Sequence, residues 1–207
     1  MFTRFFPVIS PVIFALVVLV LGFITPGYDH INYTISRLAI EKYGWIQSLN
    51  FLQLALSLLV LGNLLSSDMK QSVSRAAVRT LFILSAIFLS VAALAPTDPI
   101  ENIPLRLSLY TPIGLVHAGS VILFLAVSPI GVHRLAKIFK IEPRYKPYSS
   151  VTAFIGYGTF ILSIVWFLFF VMGIGLAYRG IFQKIIAVPV LCWFMIMGFA
   201  AIKNRKA

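Results

Sequence analysis

The sequence predicts an all-α membrane protein, a polytopic bundle of six transmembrane helices. Sixty per cent of the 207 residues are hydrophobic and only 11% are charged, whereas soluble domains carry about 25% charged residues. The mean hydropathy is +0.97. The chain also contains several apolar runs of roughly the 20 residues that a helix needs to cross a bilayer core.

Six spans are expected in chain order, at about 8–25, 44–66, 76–95, 112–130, 151–172 and 181–202. Prolines and polar clusters separate them, as turn and loop residues do. No linker is long or polar enough for a second domain, so residues 1–207 are expected to form one transmembrane domain. The first span ends in "LGFITPGYD", which lacks the small-residue cleavage site of a signal peptide and favours an uncleaved helix.

The cations are divided unequally between the two sides of such a bundle. With the N-terminus inside, only five of the 17 cations fall in outside segments: Arg37, Lys42, Arg106, Arg179 and Lys184. Cytoplasmic segments collect Lys and Arg, so both termini of this multi-pass protein are predicted in the cytoplasm, with the chain in the cell membrane. The net charge of +11 then follows from topology, and no nucleic-acid partner is expected. The basic stretch "HRLAKIFKIEPRYK" is expected to be a loop against anionic lipid headgroups.

Polar groups collect on the predicted outside face. The segment "GYDHINYTISRLA" follows the first span, "PTDPIENIPLR" follows the third and "GIGLAYRG" precedes the last. A histidine lies inside the fourth span, where ionisable groups are costly and are read by default as functional. The candidate site is therefore Asp29, His30, Ser36, Arg37, Asp98, Glu101, His117 and Arg179, with Asp29 or Asp98 as the expected partner of His117.

Structural roles compete with this interpretation. Asp29 could cap a short amphipathic helix lying in the membrane interface. Asp98, followed by Pro99 and then Glu101, has the spacing of a helix cap with a capping box. His117 could be a neutral histidine bonded to a neighbouring helix, and Arg179 could pair with a lipid phosphate.

The chemistry of the cluster stays open at this stage. Two histidines and two aspartates, His30, His117, Asp29 and Asp98, could hold zinc or another divalent metal, the one cofactor that the composition suggests. The same groups with Ser36 could form a hydrolytic set with histidine as general base. No close-spaced ligand pair makes either reading specific, and the single Cys192 excludes an internal disulfide.

The motifs "DHINYTISRLA", "PTD" after the third span, a histidine early in the fourth and "GIGLAYRG" before the last together resemble a prokaryotic membrane family. That family is catalogued as domain of unknown function 998, and the resemblance covers nearly the whole chain. It implies a six-helix membrane fold and no particular activity. The matching positions are Asp29, Thr34, Ser36, Asp98, His117 and Arg179; family members often have an acidic residue after the serine, where this chain has Arg37.

Three functions fit these observations. The favoured one is an outward-facing polar pocket that binds a lipid or a small amphiphile. The second is an intramembrane metal- or serine-dependent hydrolase or transferase acting on lipid. The third is a small transporter, against which no acidic or basic residue is expected near the bilayer midplane, where such sites usually lie. Membrane lipids are the expected partners in each case, and an oligomer is possible.

Overall fold

Six long α-helices make up most of the computed structural model, which describes residues 2–100 and 103–204. They are α1 (Phe2–Ile24), α2 (Gly44–Asp68), α3 (Ser72–Leu94), α4 (Pro112–Ile141), α5 (Ser149–Met172) and α6 (Arg179–Asn204). Four short 3-10 helices lie between them, and the described residues contain no strand. All six helices are long and apolar enough to cross a membrane, so the predicted all-α, six-span fold class is confirmed.

The helices pack as a closed ring in chain order. Each contacts the next along the chain, and α6 packs back against α1. The connections between α1 and α2, α3 and α4, and α5 and α6 therefore share one end of the bundle, called here the site end. The opposite end carries the start of α1 and the end of α6 and is called the termini end. Which end faces the cytoplasm stays a prediction.

Helix α2 contributes much of the packed interior. Leu65 of α2 is buried, as are Trp193 and Met197 of α6. Gly62 lets α2 approach α3, because a Cβ atom there would collide with the Phe82 side chain. In lipid, helices have no hydrophobic driving force to associate. Close packing of this kind and hydrogen bonds between helices therefore hold such a bundle together.

Large apolar side chains cover the outside of the ring. Phe23, Leu94 and Phe154 are each at least 70% exposed. A soluble protein rarely leaves such contiguous apolar surface open to water. On a transmembrane bundle the same surface contacts lipid chains, as the composition requires.

The prediction that the basic stretch after the fourth span is a loop is wrong for most of its length. Helix α4 continues to Ile141, 11 residues beyond the predicted end. Leu135 and Phe139 are buried one turn apart, while Lys137 and Lys140 are exposed. This amphipathic pattern favours continuing the helix past the apolar core, and the 30-residue α4 is about 45 Å long at 1.5 Å per residue.

Neither predicted aspartate cap exists. No helix begins at Asp29; its carboxylate accepts the backbone N–H of Ile31 at 2.8 Å, which is a turn made by an Asp side chain. The helix that follows is a 3-10 helix, Ile35–Ile40, whose N-cap residue is Thr34, and its place at the membrane interface stays a prediction. The residues just after Asp98 are not helical either, and Glu101, the other half of the expected capping box, lies outside the described residues.

Candidate functional site

The first turn of α6 holds the connection between α1 and α2 by backbone hydrogen bonds. The N–H of Gly180 donates to the carbonyl of Asn32 at 3.2 Å, and that of Ile181 donates to the carbonyl of Ile31 at 2.9 Å. The first N–H groups of a helix have no partner within the helix and are available for this. A Cβ atom at Gly180 would collide with the carbonyl of Tyr33, so the close approach requires glycine here.

Lys184 ties the same connection to α6 one turn further along. Its ammonium donates to the carbonyls of His30 at 2.9 Å and Tyr33 at 3.0 Å. It also lies 3.4 Å from the hydroxyl of Tyr28 and 5.6 Å from the centre of that ring. Hydrogen bonds from a charged donor are about twice as strong as neutral ones, so Lys184 is a strong polar tether of this connection.

His30 packs among aromatic rings beside this tether. Its ring lies 5.2 Å from that of Tyr28 and 5.1 Å from that of Phe23. Burial lowers the pKa of His30 below its usual value, the positive charge of Lys184 lowers it further, and the carboxylate of Asp29 acts in the opposite direction. The neutral ring is therefore the favoured form of His30 in the folded protein.

His117 lies on α4 and bonds to the end of α3. Its Nδ1 lies 2.9 Å from the carbonyl of Ala92 and 2.8 Å from that of Ala95. Among the described residues, no hydrogen bond joins His117 to its expected partners, Asp29 and Asp98. Its Nδ1 bonds to carbonyls at the end of α3 instead, because the last carbonyls of a helix lack intrahelical partners. A neutral ring that donates from Nδ1 leaves Nε2 as an acceptor, and Nε2 is buried with no partner among the described residues.

Asp98 braces the start of α4. Its carboxylate accepts the backbone N–H of Thr111 at 2.9 Å and the Thr111 hydroxyl at 2.9 Å. The oxygen of that hydroxyl accepts the N–H of Gly114 at 3.0 Å, so Thr111 is the N-cap of α4. Asp98 thus orients the cap and places a negative charge where the helix dipole favours one. It fixes the helix that carries His117 without bonding to that histidine.

A cavity of about 100 Å³ lies within the ring next to His117. Most of its lining is apolar, from α1, α2, α3, α4 and α6, and the polar side chains that line it are Ser36, His117 and Gln183. Gln183 also accepts the backbone N–H of Ile35 at 2.6 Å. The α1–α2 connection therefore forms one wall of the cavity, and α6 holds that wall in place.

Arg37 and Arg179 make contacts outside the lining of this cavity. Arg37 donates to Glu41 at 2.7 Å and lies over the Tyr33 ring. Arg179 donates to the carbonyl of Ile100 at 3.3 Å, and its guanidinium lies 4.0 Å from the centre of the Phe170 ring. Neither Arg37 nor Arg179 lines the cavity.

The metal set expected from His30, His117, Asp29 and Asp98 does not assemble. Within residues 2–100 and 103–204, no three His, Cys, Asp or Glu side chains come close enough to hold one ion. His117 uses Nδ1 on the carbonyls of α3, and both aspartates are engaged by backbone N–H groups. Of the seven candidates that the structure describes, the cavity brings together Ser36 and His117.

Two residues of the site were missed by the sequence interpretation. Gln183 and Lys184 are an adjacent polar pair in "RGIFQKIIAVPV", close to the start of a membrane span. Polar side chains inside a span are expensive unless they find partners in the bundle. That cost could have indicated that Gln183 and Lys184 have partners in the bundle. The sequence interpretation counted Lys184 only as a cation of the outside segments.

The six apolar helices and their closed packing define a helical, multi-pass integral membrane protein. Residues 8–200 match the family described as "Protein of unknown function (DUF998)". The chain therefore belongs to that family, and the resemblance seen in its motifs is confirmed. No curated protein matches this chain, and no solved structure does.

Proposed function

We propose that this protein binds a lipid or small amphiphile in the cavity beside His117. The observation that carries the proposal is the buried Nε2 of His117, which has no partner among the described residues although the side chain is only 4% exposed. A buried polar atom without a partner costs about 1–3 kcal/mol. A ligand that donates a hydrogen bond to Nε2 would remove that cost.

The lining of the cavity specifies the chemistry of the ligand. Nε2 of a neutral His117 accepts a hydrogen bond, so the ligand should present a hydroxyl or amine hydrogen. Ser36 and Gln183 offer further polar contacts, and the rest of the wall suits a hydrocarbon segment. A dry apolar cavity of about 150 Å³ is enough for benzene, so about 100 Å³ accepts a few carbons, and the remainder of the ligand extends out of the cavity.

The side from which the ligand enters follows from the charge distribution. The termini end carries most of the cations, which supports a cytoplasmic position for that end by the positive-inside rule. The site end, with Ser36 and the first turn of α6, then faces outward. The ligand would enter from the outer leaflet or from the outside solution.

A second function, lipid hydrolysis, is favoured by one specific observation. Ser36 and His117 line the same cavity, and an activated serine needs a base within hydrogen-bonding distance. The Ser36 hydroxyl lies 3.3 Å from that of Thr34. A hydrolase would need Ser36 to turn toward Nε2 of His117 when the substrate binds.

Thermal unfolding of the purified protein with added monomyristoylglycerol tests the binding proposal. The variant is His117→Asn, whose amide nitrogen can still donate to the carbonyls of α3 while nothing replaces Nε2. The control is Ser120→Ala on the same helix, since the Ser120 hydroxyl bonds to Val116 of its own helix. A ligand at 100 times its Kd stabilises the folded state by about 2.7 kcal/mol.

We expect the lipid to raise the Tm of the wild type and of Ser120→Ala, and to leave that of His117→Asn unchanged. Methyl myristate, which has no hydroxyl, should raise the Tm of the wild type and of Ser120→Ala by less. Equal shifts with both lipids, or in both variants, would contradict the assignment of Nε2. If the wild type releases free myristate and Ser36→Ala does not, although Ser36→Ala still binds the lipid, the protein would be established as a hydrolase instead.

A further inference from the structure

A long groove runs between α3 and α4 at the termini end. Its volume is about 630 Å³, and residues 73–84 of α3 and 127–138 of α4 supply its walls. Apart from Thr80 and Arg134, the lining is apolar or small. Gly131 lies at its floor, where a Cβ atom would collide with Leu81.

The groove opens sideways, toward the lipid phase. Val73 is 77% exposed, and Leu84 and Ile130 are also exposed. Eleven residue steps along either helix span about 16 Å at 1.5 Å per residue. The part from Val127 to Arg134 spans about 10 Å, which is about two thirds of one leaflet of a hydrocarbon core about 30 Å thick, so an acyl chain with its headgroup at Arg134 would lie along that part of the groove.

Arg134 is the charged residue of this groove. Its side chain is exposed, and it makes no hydrogen bond or ion pair with the rest of the described chain. Two other arginines of this end are engaged: Arg75 donates to the carbonyl of Met69, and Arg79 to the hydroxyl of Ser66. A guanidinium matches phosphate in a two-point geometry and can extend toward the headgroup level while its stem stays on apolar surface.

The charge of the surrounding surface adds to this preference. The acids of the termini end are used internally, because Asp68 accepts the Tyr145 hydroxyl at 2.6 Å and Glu142 accepts the N–H of Lys70 at 3.1 Å. Lys137 lies three residues after Arg134 and is exposed. The end as a whole therefore favours a lipid with net negative charge over a zwitterionic one.

We propose that this groove is a binding site for an anionic phospholipid, with one acyl chain along α3 and α4 and the headgroup phosphate on Arg134. The site lies at the opposite end of the bundle from the cavity beside His117. Because the two sites share no residue, either proposal can fail without the other. Basic pockets between transmembrane helices are known to select anionic headgroups in this way.

Native mass spectrometry of the full-length protein, titrated with dioleoylphosphatidylglycerol or dioleoylphosphatidylcholine, tests the site. Arg134→Gln removes the proposed phosphate ligand, and Ala77→Trp fills the groove from the α3 side. Lys140→Gln is the matched control, since Lys140 is an exposed cation of the same helix that does not line the groove. The melting temperature of each variant confirms that it is folded.

We expect the wild type to retain phosphatidylglycerol in preference to phosphatidylcholine. Arg134→Gln should weaken phosphatidylglycerol binding about fivefold, which corresponds to about 1 kcal/mol, and Lys140→Gln should change it less than about twofold. Ala77→Trp should weaken the binding of both lipids. Equal losses in the two cation variants would indicate diffuse attraction and overturn the proposal, as would unchanged binding to Ala77→Trp.

Discussion

Replacing Lys184 by methionine tests the tether between α6 and the α1–α2 connection. Methionine keeps the length and the apolar stem of the side chain but removes the charged donor. The carbonyls of His30 and Tyr33 then lose hydrogen bonds of 2.9 and 3.0 Å. The carbonyl of Tyr33 keeps the Tyr28 hydroxyl as a second donor at 3.2 Å. The substitution therefore affects the carbonyl of His30 more strongly.

The expected cost follows from those two bonds. A hydrogen bond to a charged group contributes about 1.5–3 kcal/mol, and partial exposure of Lys184 reduces this. We therefore expect Lys184→Met to lower the free energy of unfolding by about 2–4 kcal/mol. The control is Lys42→Met, which removes an exposed cation from the same end and should stay within about 0.5 kcal/mol.

Two measurements distinguish a local tether from a general effect of charge. Thermal unfolding in detergent gives the stability, and hydrogen exchange gives the opening of residues 28–36. Lys184→Met should accelerate exchange in that segment more than elsewhere, because local opening depends on the contacts that hold the segment. Equal Tm losses in Lys184→Met and Lys42→Met, with unchanged exchange at 28–36, would refute the reasoning.

Three further perturbations follow from the same contacts. The pKa of His30 is lowered by burial and by the charge of Lys184, so the unfolded chain binds the proton more readily. The stability contributed by His30 is therefore present above its ordinary pKa of about 6.5 and is lost as the pH falls through the pKa of His30 in the folded protein. His30→Gln should flatten the fall in Tm between pH 7.5 and 5.5. Asp29→Asn and Asp98→Asn should add within about 0.3–0.5 kcal/mol in a double-mutant cycle, because the two carboxylates share no partner; a coupling above about 1 kcal/mol would show a common site. Gly180→Ala should destabilise the protein and accelerate exchange in residues 28–36, since its Cβ would collide with the backbone of the α1–α2 connection, and unchanged exchange would contradict that contact.

Hydropathy was sufficient for the fold class and for most helix limits. Helices α2 and α5 begin and end within two residues of the predicted spans, because the bilayer imposes a length on an apolar run. The end of α4 could not be found this way. Beyond the apolar core its helical signal is amphipathic, with Leu135 and Phe139 buried and Lys137 exposed between them. A search for apolar runs overlooks such a segment.

The partners of polar residues were harder to predict than their positions. Asp98 has the sequence pattern of a helix start, yet its carboxylate reaches Thr111, 13 residues away. His117 was placed correctly inside α4, but its partners are carbonyls of α3, and every residue carries a carbonyl. Backbone acceptors leave no trace in the side-chain sequence, so only the packing of α3 against α4 could identify them.

The same difficulty explains why the polar cluster at the site end looked like one site. In a membrane protein, polar side chains often satisfy the backbone groups of helix ends and connections that bulk water does not reach. Lys184 and Asp98 do so for the connections and for the start of α4, and such residues are conspicuous in an apolar sequence whatever the protein binds. After those structural bonds are assigned, the Nε2 of His117 still has no partner beside the cavity among the described residues. A variant that removes Nε2 while keeping the bond to α3 therefore separates function from structure more cleanly than any substitution of the charged residues.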